Sequence, residues 1–253
     1  MIFEINNLEK LKEIKPLFTD IRFYMGNSVL DGVMGKAFVD NIENPNIAFL
    51  VVRKYCFISG NINDRKLKDI IDKNFKNYTL IPSDIIANKI ENIYSSNVQK
   101  SQRYSIKKDV SFDVDKLYHM SNSLEKDFVL VKIDETLADK IKKLDFINIT
   151  DNYKKDGIGF CCLHNNEIIG VASSNIFYKN GIEVNIKVKE EYRRKGIATA
   201  MASKLIIECL NQNKKVSWDA ANLNSVNLAE KLGFEYDSAY NIYNFKEIEK
   251  WKI

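Results

Sequence analysis

The chain has 253 residues, of which 45% are hydrophobic and 28% charged, a composition typical of an ordinary globular protein. Its formal net charge of +4 is spread evenly, because residues 1–130 hold 19 Lys or Arg against 17 Asp or Glu and the rest of the chain holds the same numbers. This balance argues against a nucleic-acid partner, which usually requires a strongly basic face or domain. No apolar run reaches the roughly 18 residues of a membrane span, so no membrane partner is expected.

The cysteines and histidines show no metal-ligand spacing, and we expect no metal site. These residues are Cys56, Cys161, Cys162, Cys209, His119 and His164. Unpatterned cysteines are typical of a reduced, cytoplasmic protein whose thiols lie in the core. The opening "MIFEINNLEK" becomes polar at once and indicates no signal peptide.

The first half of the chain has a mixed α/β pattern. "LEKLKEIKPLFTDI" has helical spacing that Pro16 interrupts, and residues 47–61 predict two strands hinged at "RKY". Residues 64–75 predict an amphipathic helix, and "TLIPSDIIANKIENIY" predicts a short strand and another helix. Between Tyr104 and Leu124 the chain is polar and weakly periodic, with "YSIKKDVSFDVDKL" as a candidate strand pair.

The second half predicts a strand, a helix, about four antiparallel strand segments, then helix, strand, helix and strand. "FVLVKI" and "ETLADKIKKL" begin this series, and the turn signals "HNNE" and "KNG" separate the strands that follow. "IATAMASKLIIECLNQNKK" is helical, "VSWDA" is a short strand, and Gly233 is suited to a left-handed cap at the end of "SVNLAEKLG". We place the domain boundary between residues 125 and 126, with an N-terminal α/β domain over 1–125 and a second domain over 126–253.

The segment "RRKGIA" places three cations and a glycine before the long helix of the second half. A helix N-terminus already carries about half a positive charge, so cations are disfavoured there unless an anion binds. A glycine lets the main chain approach such an anion closely. The alternative is a solvated basic turn whose cations pair with Glu190 and Glu191.

"RRKGIA" fits the pattern Q/R-x-x-G-x-G/A, follows a strand that ends at Val188, and is followed by Asn222 and "AEKLGF". Over about residues 128–246 this order resembles the GNAT N-acetyltransferase superfamily. "IEVNIKVKEEYRRKGIATAMAS", "SWDAANLNSVNLAEKLGFEYDSAY" and "FVDNIENPNIAFLVVRKYCFISGN" also look like the zwittermicin-A-resistance type of GNAT protein, which carries an extra N-terminal domain.

The resemblance implies an α/β (α+β) fold with a mixed, mostly antiparallel central sheet flanked by helices, beside a smaller N-terminal α/β domain. It implies direct transfer of an acetyl group from acetyl-CoA to an amine in a ternary complex, with no metal. The acceptor implied by the subgroup is a small molecule such as an aminated antibiotic or metabolite. The N-terminal domain would either close over the substrate side of the cleft or mediate a homodimer.

The resemblance also implies a set of coenzyme-binding residues. Main-chain groups of the strand before the loop would bind the pantetheine arm and the acetyl carbonyl, backbone N–H groups would bind the pyrophosphate, and Asn222 and Ser225 would flank the coenzyme. Helix capping is the alternative role for Asn222 and Ser225. The full set is Ile186, Lys187, Val188, Arg193, Arg194, Lys195, Gly196, Ile197, Ala198, Thr199, Asn222 and Ser225.

Glu183 is the predicted catalytic base, because an amine of pKa ~10 must lose a proton before it attacks a thioester. Many GNAT proteins carry a Glu at about this place, and strand alternation puts Glu183 on the face opposite Val184. The alternative for Glu183 is a solvated polar strand face. Asp219 is the reserve acid or base, with helix capping or a turn as its alternative role, and Trp218 either walls the acyl end of the cleft or lies in the core.

The sequence departs from the family at Ala229, where many GNAT enzymes have a Tyr that protonates the leaving thiolate. Tyr236, Tyr240 or Tyr243 are substitutes, or the thiolate leaves unaided, and we assign no general acid. Because of this departure, a non-catalytic module that binds acyl-CoA as a sensor remains an alternative function. A protein N-acetyltransferase is the other alternative to an enzyme that acts on small amines.

Overall fold

The computed structural model describes residues 1–19, 24–107, 109–147, 149, 153 and 157–246. The chain forms two compact units. The first unit contains residues 1–103 and 239–253, and the second contains residues 104–238. Two strands, Val98–Ile106 and Tyr236–Phe245, have residues in both units.

The first unit begins with β1 and two short helices and continues with alternating strands and helices. Its elements are β1 (Phe3–Ile5), α1 (Leu8–Ile14), α2 (Tyr24–Leu30), β2 (Lys36–Val39), β3 (Ile47–Val52), β4 (Tyr55–Gly60), α3 (Asp64–Asn74), β5 (Thr79–Pro82), α4 (Asp84–Tyr94) and β6 (Val98–Ile106). A 3-10 turn, Lys15–Phe18, follows α1 where Pro16 ends the α-helical pattern.

The strands of the first unit are ordered β1-β2-β3-β4-β5, and the final strand of the chain, β13 (Tyr236–Phe245), pairs antiparallel with β5. Only β4 and β5 are parallel among the pairs whose register the structure describes here. All six residues of β3 are buried. Helix α3 begins where Asn63 Oδ1 accepts a hydrogen bond from the Lys66 N–H, and its apolar face packs into the same core as β3.

The second unit contains a five-stranded sheet with helices on both faces. Its elements are α5 (Val114–Ser121), β7 (Val129–Lys132), α6 (Glu135–Ile141), β8 (Gly159–His164), β9 (Glu167–Tyr178), β10 (Gly181–Val188), α7 (Ile197–Asn211), β11 (Lys215–Ser217), β12 (Asp219–Ala220) and α8 (Leu223–Leu232).

The order of this sheet is β7-β8-β9-β10-β11, antiparallel except for the parallel pair β10 and β11. On one face, α7 packs with α5 and α8 in a core that includes Leu117, Ile206 and Leu232. On the other face, α6 packs in a core with Cys161 and Val171 of β8 and β9. The expected fold class, a mixed and mostly antiparallel sheet flanked by helices, is confirmed.

Two segments differ from the sequence expectation. The strand pair expected in "YSIKKDVSFDVDKL" is wrong, because only its beginning is a strand and Val114–Ser121 is a helix that Asp113 caps through the Lys116 N–H. The expected single strand "VSWDA" is divided at Trp218 into β11 and β12, which pair with different neighbours.

The boundaries between the compact units do not coincide with the boundary expected between residues 125 and 126. Residues 104–125 lie in the second unit because α5 packs on α7, and the last residues of β13 lie in the first unit because Tyr243 pairs with Leu80. The functional domains proposed over 1–125 and 126–253 remain a prediction.

Candidate active site

The strand β10 loses its neighbour on one side partway along its length. It pairs with β9 from Gly181 to Val188, but β11 accompanies it only from Gly181 to Glu183. After Trp218 the chain joins another strand, with Asp219 opposite Ser105 of β6. Within the described residues, the side of Val184–Val188 that faces away from β9 therefore has no strand partner. We call this opening the β10 gap.

The register determines which main-chain groups of β10 face the gap. The Lys189 N–H donates to Ile169 O at 2.8 Å, so position 189 faces β9. Hydrogen-bonded and non-hydrogen-bonded pairs alternate in an antiparallel ladder. The N–H and C=O groups of Val184, Ile186 and Val188 therefore point into the gap, whereas those of Lys187 point to β9. The structure thus separates the predicted group of Ile186, Lys187 and Val188, and it does not place the Lys187 main chain in the gap.

The gap continues toward the loop that precedes α7. A 3-10 turn over Glu190–Tyr192 leads into this loop, where Arg194 has φ 65° and Gly196 has φ 80° and ψ −8°. Gly196 is the N-cap residue, and no side chain caps the helix. The first-turn N–H groups of Ile197, Ala198 and Thr199 therefore have no capping side chain, a feature typical of helix starts that bind anions.

The three cations of "RRKG" have different surroundings. Arg193 forms an ion pair with Glu190, 3.1 Å from Nη1 to Oε1. Lys195 Nζ lies 5.4 Å from the ring centroid of Tyr192 and 5.8 Å from that of Phe128, two cation–π contacts. Arg194 is exposed and forms no ion pair within the described part of the chain. The alternative of a paired basic turn therefore applies to Arg193.

Glu183 is buried, with 5% of its surface exposed, although Glu rarely lies inside a protein without a partner. Its Oε2 accepts a hydrogen bond from the hydroxyl of Ser217, the residue directly opposite on β11. The ladder between β9 and β10 has an irregularity between Glu183 and Val184. Glu183 thus lies at the closed end of the gap, and the alternative of a solvated strand face is wrong. Sequence reasoning missed Ser217, because nothing in "KVSW" indicates which strand lies opposite.

Asn222 and Ser225 lie at the start of α8. Asn222 Oδ1 accepts the Ser225 N–H at 3.0 Å, which is an N-cap, and Trp218 Nε1 donates to Ser225 Oγ at 3.0 Å. Trp218 is buried in the core with Phe234, 5.6 Å between ring centroids. The capping role of Asn222 is confirmed. The cap suggested for Asp219 is wrong, because Asp219 is a strand residue.

The structure offers little support for a general acid. Ala229, at the position of the usual Tyr, is fully buried in the core around α8. Tyr243 lies in the first unit, where its hydroxyl donates to the Glu91 carboxylate. Tyr236 is 39% exposed.

No group of three His, Cys, Asp or Glu side chains that could hold a metal ion is found in the described ranges. All four cysteines are buried and free, as the sequence predicted. No described helix is long and apolar enough to cross a membrane.

Comparison with known proteins identifies relatives over nearly the whole chain. A curated protein of Bacillus subtilis (strain 168), an uncharacterized N-acetyltransferase named YdfB, is 27% identical over 234 residues, which is 85% of this chain and 88% of the relative. The crystal structure of a GCN5-related N-acetyltransferase-like protein from Streptococcus suis 89/1591 superposes with a TM-score of 0.85 and 32% identity. It covers 94% of this chain and 99% of that one.

A more distant structure shows the same fold. A GNAT-family acetyltransferase from Colwellia psychrerythraea has a TM-score of 0.55 at 12% identity and covers 97% of this chain and 100% of its own. The sequence model of the family described as GNAT acetyltransferase matches residues 15–243, which includes most of both compact units. On this match the chain belongs to the GNAT acetyltransferase family and is an N-acetyltransferase of that family.

Proposed function

We propose that the protein transfers the acetyl group of acetyl-CoA to the amine of a small molecule, directly and within a ternary complex. Enzymes of the family generally use acetyl-CoA as their co-substrate. The observation that carries the proposal is the continuous path from the buried carboxylate of Glu183, along the unpaired edge of β10, to the uncapped start of α7. A base, main-chain amide donors and a site for an anion lie along this path. Their order matches the order of the groups in acetyl-CoA, from the thioester at one end to the diphosphate at the other.

In this proposal the coenzyme binds mainly through the main chain. Ile186 and Val188 present N–H and C=O groups that can pair with the amides of the pantetheine arm, in the way that an added strand pairs with a sheet edge. The first-turn N–H groups of α7 and the Arg194 side chain bind the pyrophosphate. Arg193 and Lys195 contribute long-range attraction, since both side chains are held by neighbours in the free protein.

The chemistry proposed for the gap requires a base and an oxyanion site. Glu183 takes a proton from the ammonium group of the acceptor, directly or through a water, so that the neutral amine can attack the acetyl carbonyl. A main-chain N–H at the edge of β10 then stabilises the tetrahedral oxyanion. The nitrogen then loses its second proton to water, the carbon–sulfur bond breaks to leave the neutral amide, and the thiolate leaves without an assigned acid, which a thiol pKa near ~8.5 permits.

The finer identity of the acceptor and the cell location belong to the same proposal. The sequence resemblance to the zwittermicin-A-resistance type supports an aminated antibiotic or metabolite as acceptor. The four free, buried cysteines support a reducing compartment such as the cytoplasm. The segment 1–125 is proposed to cover the acceptor side of the cleft or to form a homodimer.

Binding and turnover test the proposal separately. Acetyl-CoA at saturation is expected to raise the melting temperature, and a screen of small amines is expected to release free thiol from acetyl-CoA. Glu183→Gln should keep the coenzyme-induced shift and lower kcat/KM by about 10²- to 10⁴-fold, the usual contribution of a general base.

Asp219→Asn is the matched variant, because it removes the reserve carboxylate while leaving Glu183 in place. An equally active Glu183→Gln enzyme would eliminate Glu183 as the base. The absence of any stabilisation by acetyl-CoA would contradict the proposed function. Stabilisation without turnover of any amine would favour the sensor, which the buried Ala229 supports, and turnover of peptides alone would favour a protein acetyltransferase.

A further inference from the structure

The final residue pair between β10 and β11 joins a carboxylate and a hydroxyl. Ser217 is the last residue of β11, and it lies in register with Glu183 of β10. Paired residues of neighbouring strands point their side chains to the same face of a sheet. Directly after this pair β11 ends and the β10 gap opens. The side chains of Glu183 and Ser217 therefore meet at the closed end of the gap.

Both side chains of this pair are buried, with 5% of Glu183 and 6% of Ser217 exposed. A buried carboxylate loses much of its hydration, so its charged form is disfavoured unless hydrogen bonds replace the lost water. The Ser217 hydroxyl supplies such a bond, because it donates to Glu183 Oε2. A hydrogen bond to an ionised group is roughly twice as strong as one between neutral groups. Ser217 thus stabilises the form of Glu183 that can take up a proton.

The Ser217 hydroxyl has a second acceptor within reach. Its Oγ lies 3.1 Å from the main-chain oxygen of Ile182. A hydroxyl carries one proton and two lone pairs, so it donates to one of these acceptors at a time. When Glu183 is ionised, its carboxylate is the stronger acceptor. When Glu183 holds a proton, the hydroxyl can turn to Ile182 O and accept the carboxyl proton on its own oxygen. Both protonation states of Glu183 therefore keep the pair hydrogen-bonded.

The other described groups near Glu183 on this face are neutral or exposed. On β9, Ile176 lies opposite Glu183, and two residues further along Tyr178 donates its hydroxyl proton to Lys215 O at 3.5 Å. The charged side chains of β10 and β11 on this face are those of Lys187 and Lys215, and both are exposed. Helix α6 packs on this face through its apolar residues. The Ser217 hydroxyl thus acts on the carboxylate from within the core.

We propose that Ser217 is a positioning residue, whose hydroxyl holds the Glu183 carboxylate at the closed end of the β10 gap and keeps it ionised until it takes the proton of the acceptor. This inference rests on the proposed function, because it takes Glu183 as the base. In the step, the proton moves from the ammonium nitrogen to the Glu183 carboxylate. The Ser217 O–H bond stays intact, and the hydroxyl turns from Glu183 Oε2 toward Ile182 O.

The test follows the protonation of Glu183 directly in the whole protein. With glutamate labelled by ¹³C at the side-chain carboxyl, the NMR signal of Glu183 is the one that Glu183→Gln removes, and its midpoint is read as the pH is varied. Loss of a hydrogen bond to the ionised form favours protonation. The midpoint in Ser217→Ala should therefore lie about one pH unit above that of wild type, the shift expected for one hydrogen bond to a charged group.

The pH profile of kcat/KM gives a second reading in the thiol-release assay, with the amine that the screen shows to be turned over fastest. The titration of the amine itself is the same for every variant, so a difference between variants reports the enzyme. Ser217→Ala should be about tenfold less active than wild type below both midpoints, because its ionised fraction of Glu183 is about tenfold smaller there. Above both midpoints the two activities should converge.

Two further variants are the controls. Ser217→Thr keeps the hydroxyl and should retain the wild-type midpoint and profile. Ser203→Ala removes another buried hydroxyl, on α7 at the opposite face of the sheet, and should change neither.

Each outcome supports or overturns the inference. A midpoint and an acid limb that both rise in Ser217→Ala and return in Ser217→Thr support it. An unchanged midpoint in Ser217→Ala, or an equal rise in Ser217→Thr or Ser203→Ala, overturns it. An equal loss of kcat/KM at every pH also overturns it, because a purely structural role would have that effect. If the inference fails while Glu183→Gln is inactive, the proposed function stands. A fully active Glu183→Gln enzyme, or a wild type that turns over no amine, contradicts the proposed base and the inference with it.

Discussion

Replacing Gly196 by alanine is expected to lower the stability of the fold and to weaken the proposed anion site, and the two effects can be measured separately. Gly196 has φ 80°, a left-handed conformation that costs an L-residue about 1–2 kcal/mol. A Cβ added there meets Leu124 Cδ2 at 3.7 Å, an ordinary contact, so strain rather than collision limits Gly196→Ala. At about 2–4 °C per kcal/mol for a chain of this size, the variant should melt roughly 2–8 °C below wild type.

Coenzyme binding should then be weaker in the same variant. A ligand at 100 times its Kd stabilises the folded state by about 2.7 kcal/mol, which is roughly 5–11 °C in melting temperature. The added methyl group lies at the N-cap of α7, where the proposal requires the main chain to approach phosphate closely. We expect at least a tenfold loss of affinity, which removes about 1.4 kcal/mol of that stabilisation.

Gly233→Ala is the matched control for Gly196→Ala. Gly233 has φ 105°, and its added Cβ would meet Phe112 Cδ1 at 3.5 Å, so the strain is comparable. Both variants should melt lower without ligand, but only Gly196→Ala should lose part of the acetyl-CoA shift in differential scanning fluorimetry. A full shift in Gly196→Ala, or an equal loss in both variants, would refute the placement of the phosphates at this helix start.

Three further expectations concern the same site and its surroundings. Arg194→Ala should weaken acetyl-CoA binding about tenfold or more by calorimetry, since a charged hydrogen bond contributes about 1.5–3 kcal/mol. Arg193→Ala should lose less affinity, because Glu190 already forms an ion pair with Arg193. Equal losses of affinity in the two variants would contradict this ranking. Asn222→Ala should lose about 1 kcal/mol of unfolding free energy and Asn222→Asp should recover most of it, whereas two equally unstable variants would argue against the cap. Burial raises the pKa of Cys209 to about 12, so its thiolate fraction at pH 8 is small. Labelling of Cys209 by a thiol reagent should therefore stay slow until the protein is denatured. Rapid labelling of Cys209 in the native protein would contradict this expectation.

The sequence predicts the elements that have strong local signals. The helix over 64–75, the strand pair hinged at "RKY" and the left-handed Gly233 cap all follow from periodicity and turn chemistry, and the structure confirms them. The helix Val114–Ser121 was missed because its surroundings are polar and only Leu117 and Met120 form an apolar face. Its N-cap at Asp113 was the available signal.

The candidate site likewise has some features that the sequence predicts and others that it does not. The loop motif and the face of Glu183 follow from sequence because they depend on neighbours along the chain. The partnership of Glu183 with Ser217, and the direction of the Lys187 main chain, depend on register between distant strands, which a single sequence does not specify. The division of "VSWDA" at Trp218 opens the β10 gap, and it too depends on which strand each half joins.

The unequal surroundings of Arg193, Arg194 and Lys195 bear on why cations stand at a positive helix end. Glu190 offsets the charge of Arg193, and the rings of Tyr192 and Phe128 offset that of Lys195. Two of the three cations are thus stabilised without ligand, so the free protein bears little of the repulsion that their sequence implies. Arg194 has φ 65°, a conformation uncommon for a residue with a side chain, and it lies two residues before a second left-handed position at Gly196. Backbone strain of this kind persists where the surrounding structure supports it and is common at ligand sites. Arg194→Gly should therefore raise the melting temperature of the free protein and reduce the further increase that acetyl-CoA produces. If both the melting temperature and the acetyl-CoA shift were higher in the variant, the strain would have no role in binding.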